Sequence, residues 1–241
     1  MTRTSGPPGL ALVVDLSGRP CLVVGGGPVA ARKLLALVEA GAVVTVVAPK
    51  TVAAIDAAVD GPGATVTVER RPYRDGEAAG YALVVTATGD PGVDDRVVDD
   101  ARASGVMVNR ADGGPPGSDG DGGRDGTVRL PAVLRRGPVT VAVATGGASP
   151  ALARWLRDRI AASLPDRLET VTDLLDEARG ELRAAGRATD SVDWADLLDR
   201  TVLPLVEADR IDEARAALRR ALDTDSSRPA TLPPRADPSV R

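Results

Sequence analysis

Residues 21–33 read CLVVGGGPVAARK. A β-branched run ending at Val24 enters Gly25-Gly26-Gly27 directly, and a helix-forming segment opens at Pro28. Gly25, Gly27 and Ala30 fit G-x-G-x-x-G/A, the turn on which a dinucleotide pyrophosphate rests. Glycines let the backbone turn tightly and approach phosphate oxygens. The helix behind them offers unpaired N–H groups and a partial positive charge. Pro28 suits a first helical position, where no N–H is needed. The motif is short, and its context gives it weight: a strand before it, a helix after it, and a second strand at 43–47. The acidic residue that would hold the ribose at the end of that second strand is absent, and Ala48-Pro49-Lys50 stands there. Lys50 is either a partner for a 2′-phosphate or an ordinary surface lysine. The residues alone leave NAD and NADP open.

Outward from the turn, strands and helices alternate. Strands are expected at 20–24, 43–47, 65–69, 82–87 and 105–109, and helices at 28–40, 51–59 and 92–103. Short Val-rich strands alternating with helices predict a parallel sheet covered on both faces. Two further strands are expected at 127–130 and 138–144. From Pro150 the period changes: Leu152, Leu156, Ile160 and Leu164 recur at four-residue steps, which predicts an amphipathic helix. More helix is expected at 166–185, 192–202 and 207–222. The fold class is therefore α/β: a Rossmann-like parallel-sheet domain, a small mixed region, then a C-terminal helical domain. The expected boundaries are 1–112 for the nucleotide domain, 113–126 for a flexible Gly/Asp-rich insertion, 127–165 for the mixed region, 166–223 for the helical domain and 224–241 for a disordered tail.

Composition narrows the function. The 241 residues include no His, which excludes His-based catalytic triads and metal sites. Acid–base chemistry must come from Asp, Glu, Lys, Tyr or the substrate. The one cysteine, Cys21, allows no internal disulfide and reads as a small buried hydrophobe. Net charge is −4, and no basic tract suggests nucleic acid. No apolar run approaches the roughly 20 residues that cross a membrane. The N-terminus lacks the apolar core of a signal peptide. A cytoplasmic enzyme is the expectation. Asp119, Asp121 and Asp125 do not have EF-hand spacing, so the insertion reads as solvated chain and no metal ligands are assigned.

Ligands in open α/β sheets sit beyond the carboxyl ends of the strands. That places Thr86-Ala87-Thr88-Gly89, Asn109 and Asp112 beside the crevice. A loop aspartate is, by position alone, more often a cap than a catalyst. The run Ala144-Thr145-Gly146-Gly147-Ala148-Ser149-Pro150 joins a strand to a helix. It reads either as an N-cap at Ser149 or as a second anion-binding helix start. Arg154 and Arg157 follow within two turns, and Arg135 and Arg136 precede; each suits either solvent or a carboxylate-bearing ligand.

The ordered pieces VVGGGPVAARK at 23–33, TATGD at 86–90, VNRAD at 108–112 and LPAVLRRGPVTVAVATGGASPALARWLR at 130–157 resemble the precorrin-2 dehydrogenase/sirohydrochlorin ferrochelatase family, the NAD-dependent module of siroheme synthases. The resemblance runs over roughly residues 10–222, and several motifs arriving in order are far more specific than the glycine turn. It implies oxidation of precorrin-2 to sirohydrochlorin with NAD⁺, then Fe²⁺ insertion at the same site, with iron as substrate. It implies a part in both steps for Asp112. Gly25, Gly27, Pro28, Val29, Pro49, Lys50, Thr86 and Thr88 fall to the cofactor. Asn109, Thr145, Gly146, Gly147, Ser149 and Arg154 fall to the tetrapyrrole. A homodimer built through 127–165 is also implied. No methyltransferase domain follows the helices, so another protein is expected to supply precorrin-2. The insertion directly after Asp112 departs from the family's short link. It puts chelatase activity in more doubt than dehydrogenase activity, so a dehydrogenase without chelatase activity is one alternative; a non-catalytic NAD-sensing regulatory module is a second, of another class.

Overall fold

A strand whose two faces are both covered needs apolar residues at every position, and the first strand has them. In the computed structural model, which describes residues 9–61, 65–111, 126–146, 148–187 and 192–224, β1 (Pro20–Val24) is buried from Cys21 onward. Its side chains alternate between two cores. Cys21 and Val23 pack with Ala30, Leu34 and Leu37 of α1 (Pro28–Glu39) and Ile55 of α2 (Ala53–Val59). Leu22 and Val24 pack on the opposite face with Val97, Val98 and Ala101 of α3 (Pro91–Ala103). β2 (Val43–Val47), β3 (Val66–Glu69), β4 (Leu83–Thr86) and β5 (Met107–Arg110) complete an all-parallel sheet in the order β3-β2-β1-β4-β5. The order reverses direction between β1 and β4. That is the topological switch point, where a doubly wound sheet opens a crevice at its carboxyl edge.

Helix ends follow local chemistry. Asp90 caps α3 by accepting from the N–H groups of Gly92 and Val93, and Pro91 occupies the first turn. Tyr73 ties the loop after β3 to α3: its hydroxyl donates to Asp100 Oδ2 at 2.8 Å and accepts from the Ala78 N–H.

Cys21 is a free, fully buried thiol, and burial pushes its pKa up. The folded protein is therefore expected to resist a thiol reagent that labels the denatured chain at once. Because the folded pKa lies above the ordinary 9.0, the unfolded thiol ionises first and stability falls as pH climbs past that value. Rapid labelling of the native protein would contradict this placement.

The chain divides into two compact units. One comprises Met1–Pro131 with Ala144–Ser149, and the other comprises Ala132–Val143 with Pro150–Arg241. In the second, β6 (Ala132–Arg136) and β7 (Val139–Val143) form an antiparallel hairpin closed at Gly137, whose φ is +53°. The hairpin packs on α4 (Pro150–Ser163). The Arg136 guanidinium donates to the carbonyls of Ala161, Leu164 and Pro165, closing the end of α4. α5 (Leu168–Ala184) lays Val171, Leu174, Ala178 and Leu182 against Val202 and Val206, and against Ala214, Leu218 and Leu222 of α8 (Ile211–Thr224).

Three expectations are corrected. Residues 127–130 form no strand; the strand begins after Pro131, although the Val128 N–H donates to Val108 O of β5. The helix expected over 192–202 is α6 (Trp194–Leu197) followed by a π-helical turn, Leu198–Val202, and α7 (Leu203–Glu207). Pro204 has no N–H to give to the carbonyl four residues back, and the wider turn accommodates the loss. The helix expected from 207 begins at Ile211, after Asp209 takes a left-handed φ of +61° and ends α7. Asp112, Gly147, residues 113–125 of the insertion and the tail beyond Thr224 lie outside the described residues.

Candidate active site

The glycine turn fills the switch point from below. Gly25 has φ +127°, and a Cβ there would lie 2.3 Å from the Ala87 carbonyl oxygen, at the exit of β4. At Gly26 a Cβ would lie 1.8 Å from the Lys50 carbonyl oxygen, at the exit of β2. The turn is thus wedged between the two neighbouring strand exits, and Gly26 O accepts from the Val52 N–H at 2.9 Å. Gly27 differs: nothing lies within 4 Å of where its Cβ would be. It is the N-cap of α1 and offers no side-chain cap, and the first turn carries no acid. Among the described residues no side chain caps the start of α1, and the space beside Gly27 is open, as a pyrophosphate needs. Pro28 and Val29 open that helix, and Val29 is exposed. Pro49 and Lys50 follow β2, both exposed. These residues fit a dinucleotide.

The β4 wall is held by a residue that motif spacing does not mark. Asp94, in the first turn of α3, is fully buried. Its Oδ1 accepts from the Thr86 hydroxyl, from the Thr88 hydroxyl at 2.8 Å and from the Thr88 N–H at 3.2 Å. The Asp90 N–H donates to the Thr88 hydroxyl at 3.0 Å. Both threonine hydroxyls thus turn inward, and whatever this wall offers a ligand comes from its backbone. Removing Asp94 strands several buried donors. The Asp94→Ala variant is expected to lose about 2–4 kcal/mol of stability, and Asp94→Asn to recover more than half by keeping an acceptor oxygen. Denaturant midpoints at constant slope measure both; an unchanged midpoint for the alanine variant would refute the role.

The end of β5 is similarly anchored. Arg110, its side chain 2% exposed, pairs with Asp95 of α3. Asn109 is buried, and its Nδ2 donates to Val128 O at 2.9 Å while Thr127 Oγ1 accepts from the Val108 N–H. Asn109 therefore fastens the returning chain to β5. Among the described residues its Oδ1 is buried without a partner. Gly126 passes so close to β5 that a Cβ would lie 2.5 Å from Val108 O.

Thr145 closes the loop after β7. Its hydroxyl donates to Ser149 O and accepts from the Ser149 N–H, while Ala148 N–H donates to Thr145 O. Gly146 has φ +62° with open space beside it. Arg154 is exposed on α4, as is Trp155, over which Arg159 sits 5.6 Å from the ring centre. Arg157 is paired with Asp158 at 2.7 Å. No group of His, Cys, Asp or Glu among the described residues could hold a metal ion.

The geometry brings together Gly25–Val29, Pro49-Lys50 and the β4 exit around one crevice. Reading from sequence missed Gly26, Asp94 and Arg110. Gly26 sits at the free position of G-x-G, and a buried aspartate or arginine on a helix or strand reads as surface until its neighbours are known.

Comparison with known proteins bears on the fold and the family. The family described as "Putative NAD(P)-binding" matches residues 12–119, and "Sirohaem biosynthesis protein central" matches residues 136–163. The siroheme synthase of Methylococcus capsulatus is 36% identical over 217 residues, covering 89% of this chain and 43% of that protein. That of Azotobacter vinelandii is 41% identical over 157 residues, 65% of this chain and 31% of that protein. The chain thus spans less than half the length of these curated relatives. The solved structure of SirC, precorrin-2 dehydrogenase, superposes with a TM-score of 0.64 at 25% identity, over 91% of this chain and all of that one. Glycine cradle, switch-point crevice and matched relatives lead to one assignment: the chain belongs to the precorrin-2 dehydrogenase/sirohydrochlorin ferrochelatase family, the NAD-dependent module of siroheme synthases.

Proposed function

We propose that the chain oxidises precorrin-2 to sirohydrochlorin with NAD⁺, releasing NADH and one proton, and then inserts Fe²⁺ with release of two protons. The observation that carries the reading is the glycine cradle at the β1/β4 switch point, in a chain that matches a precorrin-2 dehydrogenase over nearly its whole length. Bound NAD⁺ supplies the hydride acceptor. Gly25–Gly27 and the start of α1 hold its pyrophosphate, and the β4 exit, fixed by Asp94, walls the crevice. Asp112 takes the proton that leaves the macrocycle as the hydride departs, and later takes a pyrrole N–H proton as iron enters. The macrocycle's own nitrogens ligate the iron, so a chain without His needs no metal site of its own. Thr145, Gly146, Gly147, Ser149 and Arg154 meet its carboxylates, and Asn109 keeps the strand end in place.

We also propose a homodimer. Val133, Leu152 and Trp155 of the second unit are all at least 36% exposed, apolar side chains that a second copy would cover. Light scattering during gel filtration tests this; a monomer at micromolar concentration overturns it. The free buried thiol suits the cytoplasm.

The activity is tested by mixing the protein anaerobically with fresh precorrin-2 and NAD⁺, then adding Fe²⁺. NADH formation followed by a siroheme spectrum, faster than without protein, is the expected result. NADH without faster iron insertion leaves a dehydrogenase alone. Dinucleotide binding with no NADH formed makes the chain a sensor and overturns the proposal.

A further inference from the structure

We propose that Asp94 tunes this crevice to the oxidised cofactor: its buried carboxylate, behind the β4 exit, favours the positive charge that a nicotinamide ring carries before it accepts a hydride and loses afterwards. The proposal rests on reading the crevice as a dinucleotide site.

A dinucleotide lies across a switch point with its pyrophosphate at the first helix and its adenosine ribose at the end of the second strand. Its other half therefore falls toward the β4 exit, on the opposite side of β1 from β2. Thr86, Ala87 and Thr88 form that exit. Behind them Asp94 is 0% exposed. Its Oδ1 accepts from the Thr86 and Thr88 hydroxyls and from the Thr88 N–H, and accepting alone is the pattern of an ionised carboxylate. Its Oδ2 is buried with no hydrogen-bond partner among the described residues. That oxygen has no local dipole to answer its charge.

The charges around Asp94 leave it uncancelled. All three of its donors are neutral groups. The next residue, Asp95, differs, because Arg110 holds it in an ion pair. Asp90, the cap of α3, is exposed and screened by water. The start of α3 supplies a partial positive charge of about one half, too little to cancel a full negative one. A buried charge is screened far less than an exposed one, so Asp94 acts on what rests against the β4 exit. It attracts the cationic ring of NAD⁺ and gains nothing from the neutral ring of NADH. The reduced form then leaves more readily, and the bound oxidised form is a correspondingly weaker hydride acceptor.

Asp94→Asn tests this, since asparagine keeps the size and an acceptor oxygen and drops the charge. The full chain is titrated with NADH by fluorescence and with NAD⁺ by displacement of bound NADH, which reads binding without turnover. The ratio of NAD⁺ affinity to NADH affinity is expected to fall by about fivefold or more in Asp94→Asn. Asp90→Asn keeps a cap and removes an exposed charge from the same helix start, and is expected to leave the ratio within about twofold. A loosened wall would weaken both forms together. An unchanged ratio in Asp94→Asn therefore overturns the proposal and leaves the dinucleotide reading standing. An equal shift in Asp90→Asn also overturns it, because burial would not be the cause. The unsubstituted chain gives a check that needs no variant to fold: NAD⁺ is expected to bind at least as tightly as NADH, and NADH tighter by more than about tenfold overturns the proposal. If neither form binds, the reading of the crevice falls and the proposal with it.

Discussion

Gly25→Ala is expected to abolish dinucleotide binding and to lower the unfolding free energy by about 3–5 kcal/mol. Two independent costs add at this position. The backbone φ of +127° is one that an L-residue rarely adopts, and the added methyl would sit 2.3 Å from the Ala87 carbonyl oxygen and 2.7 Å from its carbon. Neither neighbour can step aside. Ala87 follows β4 directly, its N–H donates to Val24 O, and the Thr88 beyond it is pinned by Asp94. The turn must therefore move away from the sheet, carrying the start of α1 with it. Gly27→Ala is the control. Its φ of −85° is ordinary and its surroundings are open, so stability should stay within about 0.5 kcal/mol. The methyl would nevertheless project into the space assigned to the pyrophosphate, and binding should weaken. Chemical denaturation and NADH titration of the two variants measure both effects. A Gly25→Ala protein of unchanged midpoint would show that the wedge between the β2 and β4 exits is not as tight as described.

Asp112→Asn is expected to slow NADH formation by about a hundredfold to ten-thousandfold while dinucleotide affinity changes little. Asparagine matches aspartate in size and cannot take a proton. Both proposed steps release protons from the macrocycle, so one substitution should slow oxidation and iron insertion together. A loss confined to iron insertion would assign Asp112 to metalation alone. Normal rates in both steps would remove Asp112 from the chemistry and move attention to Tyr, Lys or the substrate's own carboxylates. Titration with NADH distinguishes a chemical defect from a binding one.

Much of the sheet is readable in the chain because β1, β2 and β4 are buried on both faces. Such strands must be continuous Val and Leu, and Gly or Pro punctuates their ends. The glycine turn is readable at Gly25, where backbone crowding admits only glycine, whereas the same crowding at Gly26, a free position of the motif, shows only in the fold. What sequence hides is whatever depends on a distant partner. Asp94 has the look of a helix-surface acid until Thr86 and Thr88 are folded against it. Asn109 ends a strand on the crevice side, and only folding shows its amide fastened to Val128. TVRL at 127–130 has strand composition, but Pro131 follows it, and the ladder forms instead at Ala132–Arg136 where Val143–Val139 can pair. The break at Leu198–Val202 comes from Pro204, several residues downstream of the distortion it causes.

The way the chain is divided has a practical consequence. It passes between its two compact units at 131–132, 143–144 and 149–150. No single cut yields both halves intact. A fragment ending at Pro131 forfeits the Thr145–Ser149 loop, and a fragment starting at Ala132 carries that loop without the unit to which it belongs. Fusions, split reporters and protease-nicking studies must treat the chain as an interleaved pair, and a separable nucleotide module has to be built by circular rearrangement rather than truncation.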